Sequence, residues 1–209
     1  MSRTAIATLA LVASASLPAY ADRYEAAITM APEGGFAWLR EEGAAGATRV
    51  PRGGASVRLS YGLRDWLALD AELGGATMSE GRFDDIAVSV GGAAPTNETL
   101  TRTTRAARLL LGGELRLGVA WIPTVAVGVG AQLRMRGDAV VAGTALVPDG
   151  RRGGMSIDPI VAARAGLERR LSARWVVGVE VAAARALMAP AIDSAEVSLS
   201  LSRYWYPLL

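Results

Sequence analysis

Residues 56–73 read SVRLSYGLRDWLALDAEL, and their character alternates with a period of two. Val57, Leu59, Tyr61, Leu63, Leu67, Leu69 and Leu73 fall on one face. Arg58, Ser60, Gly62, Arg64, Asp70 and Glu72 fall on the other. Period two is the signature of a β-strand whose faces meet different surroundings. Here one face is large and apolar. The other mixes full charges with the smallest side chains. A solvent-facing sheet has no reason to keep its polar face so small.

The same pattern recurs along the chain. Alternating segments span 24–31 (continuing past an irregularity at 32–35 toward 40), 55–63, 66–78, 105–117, 124–136, 156–167, 175–187 and 195–206. Most are long enough to cross a bilayer at a tilt, which takes about 9–11 residues. No apolar run after the first residues reaches the roughly 20 that a membrane helix needs. Mean hydropathy is nevertheless +0.28, apolar for a chain without such a helix. The connections alternate in length. Those near residues 64–66, 118–123 and 168–174 are short, whereas 41–54, 79–104 and 137–155 are long and rich in Gly, Pro, Thr and charge. Short turns at one end and long loops at the other predict an eight-stranded antiparallel up-and-down transmembrane β-barrel, short turns on the periplasmic side.

Parity then assigns the two faces. Arg58, Arg64, Asp70, Glu72, Arg108, Glu114, Arg116, Arg134, Arg164, Glu168 and Glu180 point inward, interleaved with Gly and Ala. An eight-stranded barrel is only just wide enough for side chains to fill, so a few long charged residues among many tiny ones suit its lumen. Enclosed charges persist when paired, so these groups are expected to cross-link the walls. The opposite face offers Val, Leu, Ala and Ile to hydrocarbon. Trp66, Trp121, Trp175 and Trp205, with Tyr24, collect at the short-turn end, where an interfacial aromatic girdle belongs.

The first 21 residues read as a secretory signal peptide: Arg3, an apolar run over 5–17, and Ala19-Tyr20-Ala21 as the cleavage site. The barrel domain is expected over 22–209. Lys and Arg number 22 against 20 Asp and Glu, a balance that gives no nucleic-acid surface. There is no Cys, so an exported chain must be stabilised without disulfides.

Signal peptide, eight alternating segments, short and long links in turn and aromatic rims together resemble the small outer-membrane barrels of Gram-negative bacteria, the OmpA-like and OmpX-like type. The resemblance covers residues 22–209 and rests on architecture, not on a motif. It implies an outer-membrane location. It also implies two partners: outer-membrane lipid including lipopolysaccharide, and the barrel-assembly machinery, which reads an aromatic residue at the end of the last strand. Here Tyr204 and Tyr206 alternate, and Pro207-Leu208-Leu209 follow.

Catalytic signals are missing. Barrels of this size that act on lipids or peptides rely on histidine, and this chain has none. Asp70, Glu72 and Glu114 are expected to serve as partners for arginine, not as an acid/base pair. The neighbours Asp84 and Asp85 supply too few oxygens for a hard cation, and Gly128-Val129-Gly130 lacks the helix a nucleotide loop requires. No metal or cofactor is expected from these residues, and they do not name a surface ligand. The leading expectation is a non-enzymatic barrel with a charged, plugged lumen that stabilises the envelope or presents loops. A narrow or gated path for small or apolar solutes is the first alternative. A soluble periplasmic lipid carrier, with the apolar face turned inward, is the second.

Overall fold

The computed structural model describes residues 24–118, 120–188 and 192–205. The segment expected to be a signal peptide, and Tyr206, lie outside the described residues. Nine strands form one antiparallel sheet: β1 (Ala26–Arg40), β2 (Ala47–Arg64), β3 (Leu67–Val88), β4 (Thr96–Arg116), β5 (Trp121–Arg136), β6 (Val140–Val141), β7 (Gly154–Arg170), β8 (Trp175–Ala186) and β9 (Ile192–Trp205). Strand β6 is a two-residue addition on the upper part of β4, at Leu100 and Thr101. The other eight pair in sequence order, and β1 pairs with β9 to close the ring. Around the ring of the described strands, closure leaves no open edge in the barrel wall, as hydrocarbon surroundings demand.

The register fixes the geometry. A hydrogen-bonded row that leaves β4 at Arg116 passes Thr124, Gly166, Glu180, Ser198, Glu33, Gly54 and Ala76. It returns to β4 at Ala106, ten residues from its start. Eight strands staggered by ten residues must tilt by about 40° to the barrel axis.

The apolar face points outward. Leu59, Leu73, Leu111, Val127, Val179 and Leu199 are each about half exposed or more. Arg58, Glu72, Arg108, Glu114 and Glu180 on the intervening positions are buried. A lipid carrier with its apolar set inward is therefore not this fold. Tyr24, Trp66, Trp121, Trp175 and Trp205 are exposed at the short-turn end. Arg169 lies 5.1 Å over the Trp121 ring and Arg203 lies 5.9 Å over the Trp175 ring, placing cations beside the aromatics.

Two expectations about the long-loop end need correction. Residues 79–104 are not a loop. β3 and β4 continue through them as a paired hairpin, leaving only 89–95 at the tip. Likewise β2 begins at Ala47, well inside the expected 41–54 link. The period-two signal fails there because bulges between Met78 and Gly81, and between Phe83 and Ile86, shift the parity twice. The second contains Asp85, at φ 55°. After each shift the inward residues are apolar again, and Phe83, Ile86, Val88, Leu100, Leu39 and Ile192 form a hydrophobic core above the bore. It is the largest apolar cluster among the described residues.

The connection after β5 latches onto this hairpin. The Asp149 amide donates to the Ser89 carbonyl at 2.8 Å. The Gly92 amide and the Ser89 hydroxyl donate to Asp149 Oδ2 at 3.0 and 3.2 Å. Gly91 and Gly92 have φ of 61° and 79°, which glycine adopts freely. The Gly92 amide, and then the Ser89 hydroxyl, hold the Asp149 carboxyl below its usual range. A carboxylate depressed in the fold contributes stability above its ordinary pKa of about 3.9 and loses it as pH falls through the lower value. The latch should therefore persist at pH 5 and open only below about pH 4. The Gly92 amide resonance should titrate in that acid window. A midpoint at or above the free-aspartate value would show the carboxylate is not held by these donors.

Candidate functional site: the charged bore

Most charged residues in the middle of the inner face form one ion-pair network. Arg58 on β2 donates to Glu114 on β4 at 2.9 Å and to Glu180 on β8 at 2.6 Å. Glu114 also accepts from Arg116 at 2.5 Å. Arg164 on β7 bridges Asp70 and Glu72 on β3, with Glu114 at 3.6 Å and Glu180 at 3.9 Å. Arg108 on β4 reaches Glu72 at 2.8 Å, Glu196 on β9 at 2.5 Å and Glu33 on β1 at 2.8 Å. Arg52 on β2 completes the upper tier with Glu196 at 2.5 Å and Glu33 at 3.3 Å. Side chains from every barrel strand except β5 take part.

Small residues make room for the long ones. A Cβ on Gly74 would come within 3.1 Å of Arg108 Nε, and one on Gly166 would lie 2.9 Å from both Glu180 Cγ and Thr124 Oγ1. Arginine suits such crossings because it stays charged in any surroundings and forks onto two carboxylates at once. Two voids beside these side chains hold about 10 Å³ each, no more than a single water occupies.

Placement of the expected residues is uneven. Arg58, Asp70, Glu72, Arg108, Glu114, Arg116, Arg164 and Glu180 share the network. Arg134 is buried higher up, 3.1 Å from Asp158. Glu168 is buried lower down, crossing Gly178 beside Ser200, and makes no ion pair with a described residue. Arg64 does not enter the bore. The pairing of β2 with β3 slips between Gly62 and Arg64, and that irregularity leaves the arginine exposed at the turn. Glu33, Arg52 and Glu196 were not among the expected residues. Glu196 has the same parity as the inward serines of β9, so alternation carried the signal. Glu33 sits between Pro32 and Gly34, where the pattern is interrupted.

Two smaller sets flank the network. Toward the long hairpins, Glu41 accepts from Arg102 at 3.0 Å and from Arg151 at 3.1 Å. Toward the short turns, Arg116 and Arg170 lie 5.3 and 5.6 Å over the buried Tyr204 ring, and Arg170 is 3.5 Å from Glu25. Among the described residues no group of three or more His, Cys, Asp or Glu is arranged to hold a metal ion.

The sequence matches no protein-family model and no curated protein. Solved structures do resemble the fold. Neisserial surface protein A superimposes with a TM-score of 0.51 at 8% identity, over 85% of this chain and 96% of that one. The N-terminal β-barrel domain of Pseudomonas aeruginosa OprF gives 0.49 at 13% identity, over 88% and 98%. The attachment invasion locus protein Ail of Yersinia pestis gives 0.48 at 9%, over 88% and 99%. The fold is that of the small eight-stranded outer-membrane barrels. At such identities the likeness extends to the fold alone.

Proposed function

We propose that the chain is a non-enzymatic outer-membrane barrel with a plugged bore, which stabilises the envelope and presents the long hairpins at the cell surface. One observation carries this reading: arginines and carboxylates meet across the bore at successive levels. Its outward apolar belt and basal aromatics suit a bilayer. The unequal connections support a surface position for the β3–β4 hairpin, and the OmpA-like and OmpX-like resemblance supports export by the signal peptide over residues 1–21. Outer-membrane lipid, including lipopolysaccharide, and the barrel-assembly machinery are the partners this reading requires. A bore closed by ion pairs argues against the transport alternative.

Purified protein inserted in planar bilayers should show no large, steady conductance. A stable wide pore in the unmodified protein would overturn the plug and favour transport.

A further inference from the structure

The short-turn end carries tryptophans and arginines that belong to no part of the bore. Trp121 on β5 pairs with Arg169 on β7, and Trp175 on β8 pairs with Arg203 on β9, all four exposed on the outward face. Register brings the two pairs to one height. The row through Arg169 passes Val177 on β8 and Leu201 on β9, and Arg203 lies one outward position below Leu201. The ten-residue stagger lifts such a row by about two residues over two strands, which cancels that step. Arg169 and Arg203 therefore stand at the same level of the barrel, about 12 Å apart along the wall, with Trp175 between them.

Both guanidiniums lie over rings, Arg169 at 5.1 Å from Trp121 and Arg203 at 5.9 Å from Trp175, and neither has an acid for a partner among the described residues. A guanidinium that meets a ring with its face keeps its N–H edges for an anion. Arg174, exposed in the turn between β7 and β8, adds a third cation. Among the described residues the one exposed acid of this end is Asp65, in the β2–β3 turn across the ring. Glu25 and Glu168 are buried. Directly above the arginines, Leu167, Val179 and Leu201 offer an exposed apolar wall. The sector is cationic and aromatic at one level and apolar beyond it.

We infer that this sector binds a phospholipid with two phosphates joined through one glycerol, as in cardiolipin. Arg169 takes one phosphate and Arg203 the other, each through a forked pair of N–H donors. The bridging glycerol crosses Trp175, and the acyl chains lie along Leu167, Val179 and Leu201. A headgroup with one phosphate leaves one fork empty. A headgroup with an ammonium brings like charge to a rim that has no acid to receive it. The inference rests on the reading that the apolar face meets lipid. On that reading the short turns put this rim in the periplasmic leaflet, opposite lipopolysaccharide.

The test uses the full chain in nanodiscs of equal cardiolipin, phosphatidylglycerol and phosphatidylethanolamine, followed by transfer to detergent and native mass spectrometry of the lipid retained. One cardiolipin should be kept over phosphatidylglycerol by about tenfold, the ratio set by one further charged hydrogen bond. Phosphatidylethanolamine should be kept less than either. Arg203→Gln, and separately Arg169→Gln, should abolish the preference for cardiolipin while the barrel keeps its heat-dependent gel mobility. Arg64→Gln removes the same charge from the β2–β3 turn and should leave the preference unchanged. Equal retention of cardiolipin and phosphatidylglycerol by the unmodified protein, or equal loss in the Arg64 and Arg203 variants, would overturn the site. Displacement of cardiolipin by soluble peptidoglycan fragments would assign the rim to a periplasmic polymer and overturn it too. Insertion without retained lipid refutes this inference alone. Failure to insert refutes the lipid-facing reading as well.

Discussion

Glu72→Ala should destabilise the barrel by about 3–5 kcal/mol, the cost of leaving buried charge without its partner. Glu72 is 2% exposed and accepts from both Arg108 and Arg164. Its loss strands charge on two walls at once. Arg108 keeps Glu33 and Glu196, and Arg164 keeps Asp70, so the fold is expected to survive with a lower urea midpoint. Equilibrium unfolding in lipid vesicles reads the change. A control is available in the exposed pair Arg82–Asp84. Asp84→Ala should leave the urea midpoint nearly unchanged, because water already screens that pair. Equal effects at the two sites would mean that the bore is wet and its charges independently solvated.

Val127→Arg should cost about 2–4 kcal/mol in a bilayer, because it places a charge on the lipid face at mid-depth. Val127 is 65% exposed, more than most side chains of the molecule, so in water the same substitution would be harmless. The contrast between solvents makes the measurement decisive. Ala93 at the hairpin tip is exposed too, and Ala93→Arg should cost next to nothing in lipid. If both variants unfold alike, the outward apolar belt does not lie in hydrocarbon.

Much of this arrangement was legible in the residues. Strands β2, β4 and β9 alternate without interruption through their lower halves, so one count of parity sorts Arg58 from Leu59 and Arg108 from Leu109. The reason is physical: both faces of a thin wall are specified, one by lipid and one by a crowded bore, and a slip of one residue would exchange them. Legibility stops where that pressure is relieved. At the Arg64 turn the wall ends and the pairing slips. Above Met78 bulges enter, the inward face turns apolar, and β3 reads as loop although it stays paired to Val88. The partners of each arginine were not legible. Parity says which side chains enter the bore. The ten-residue stagger decides which of them meet, and that number exists only once the ring is closed.

That last point bears on how the molecule is built. Arg108 sits in the middle of the sequence, and two of its carboxylates come from β1 and β9, the first and last strands. Arg52 on β2 likewise waits for Glu196 on β9. A half-finished sheet, β1 through β8, would hold both guanidiniums with an incomplete set of acids. The final strand therefore delivers charge compensation to the centre of the molecule at the moment it docks. Joining the two ends of the chain is costly in entropy, and the contacts of Glu196 with Arg52 and Arg108 form only as the return on that step. Assembly is thereby made more cooperative: the last strand supplies acids that a nearly complete sheet lacks.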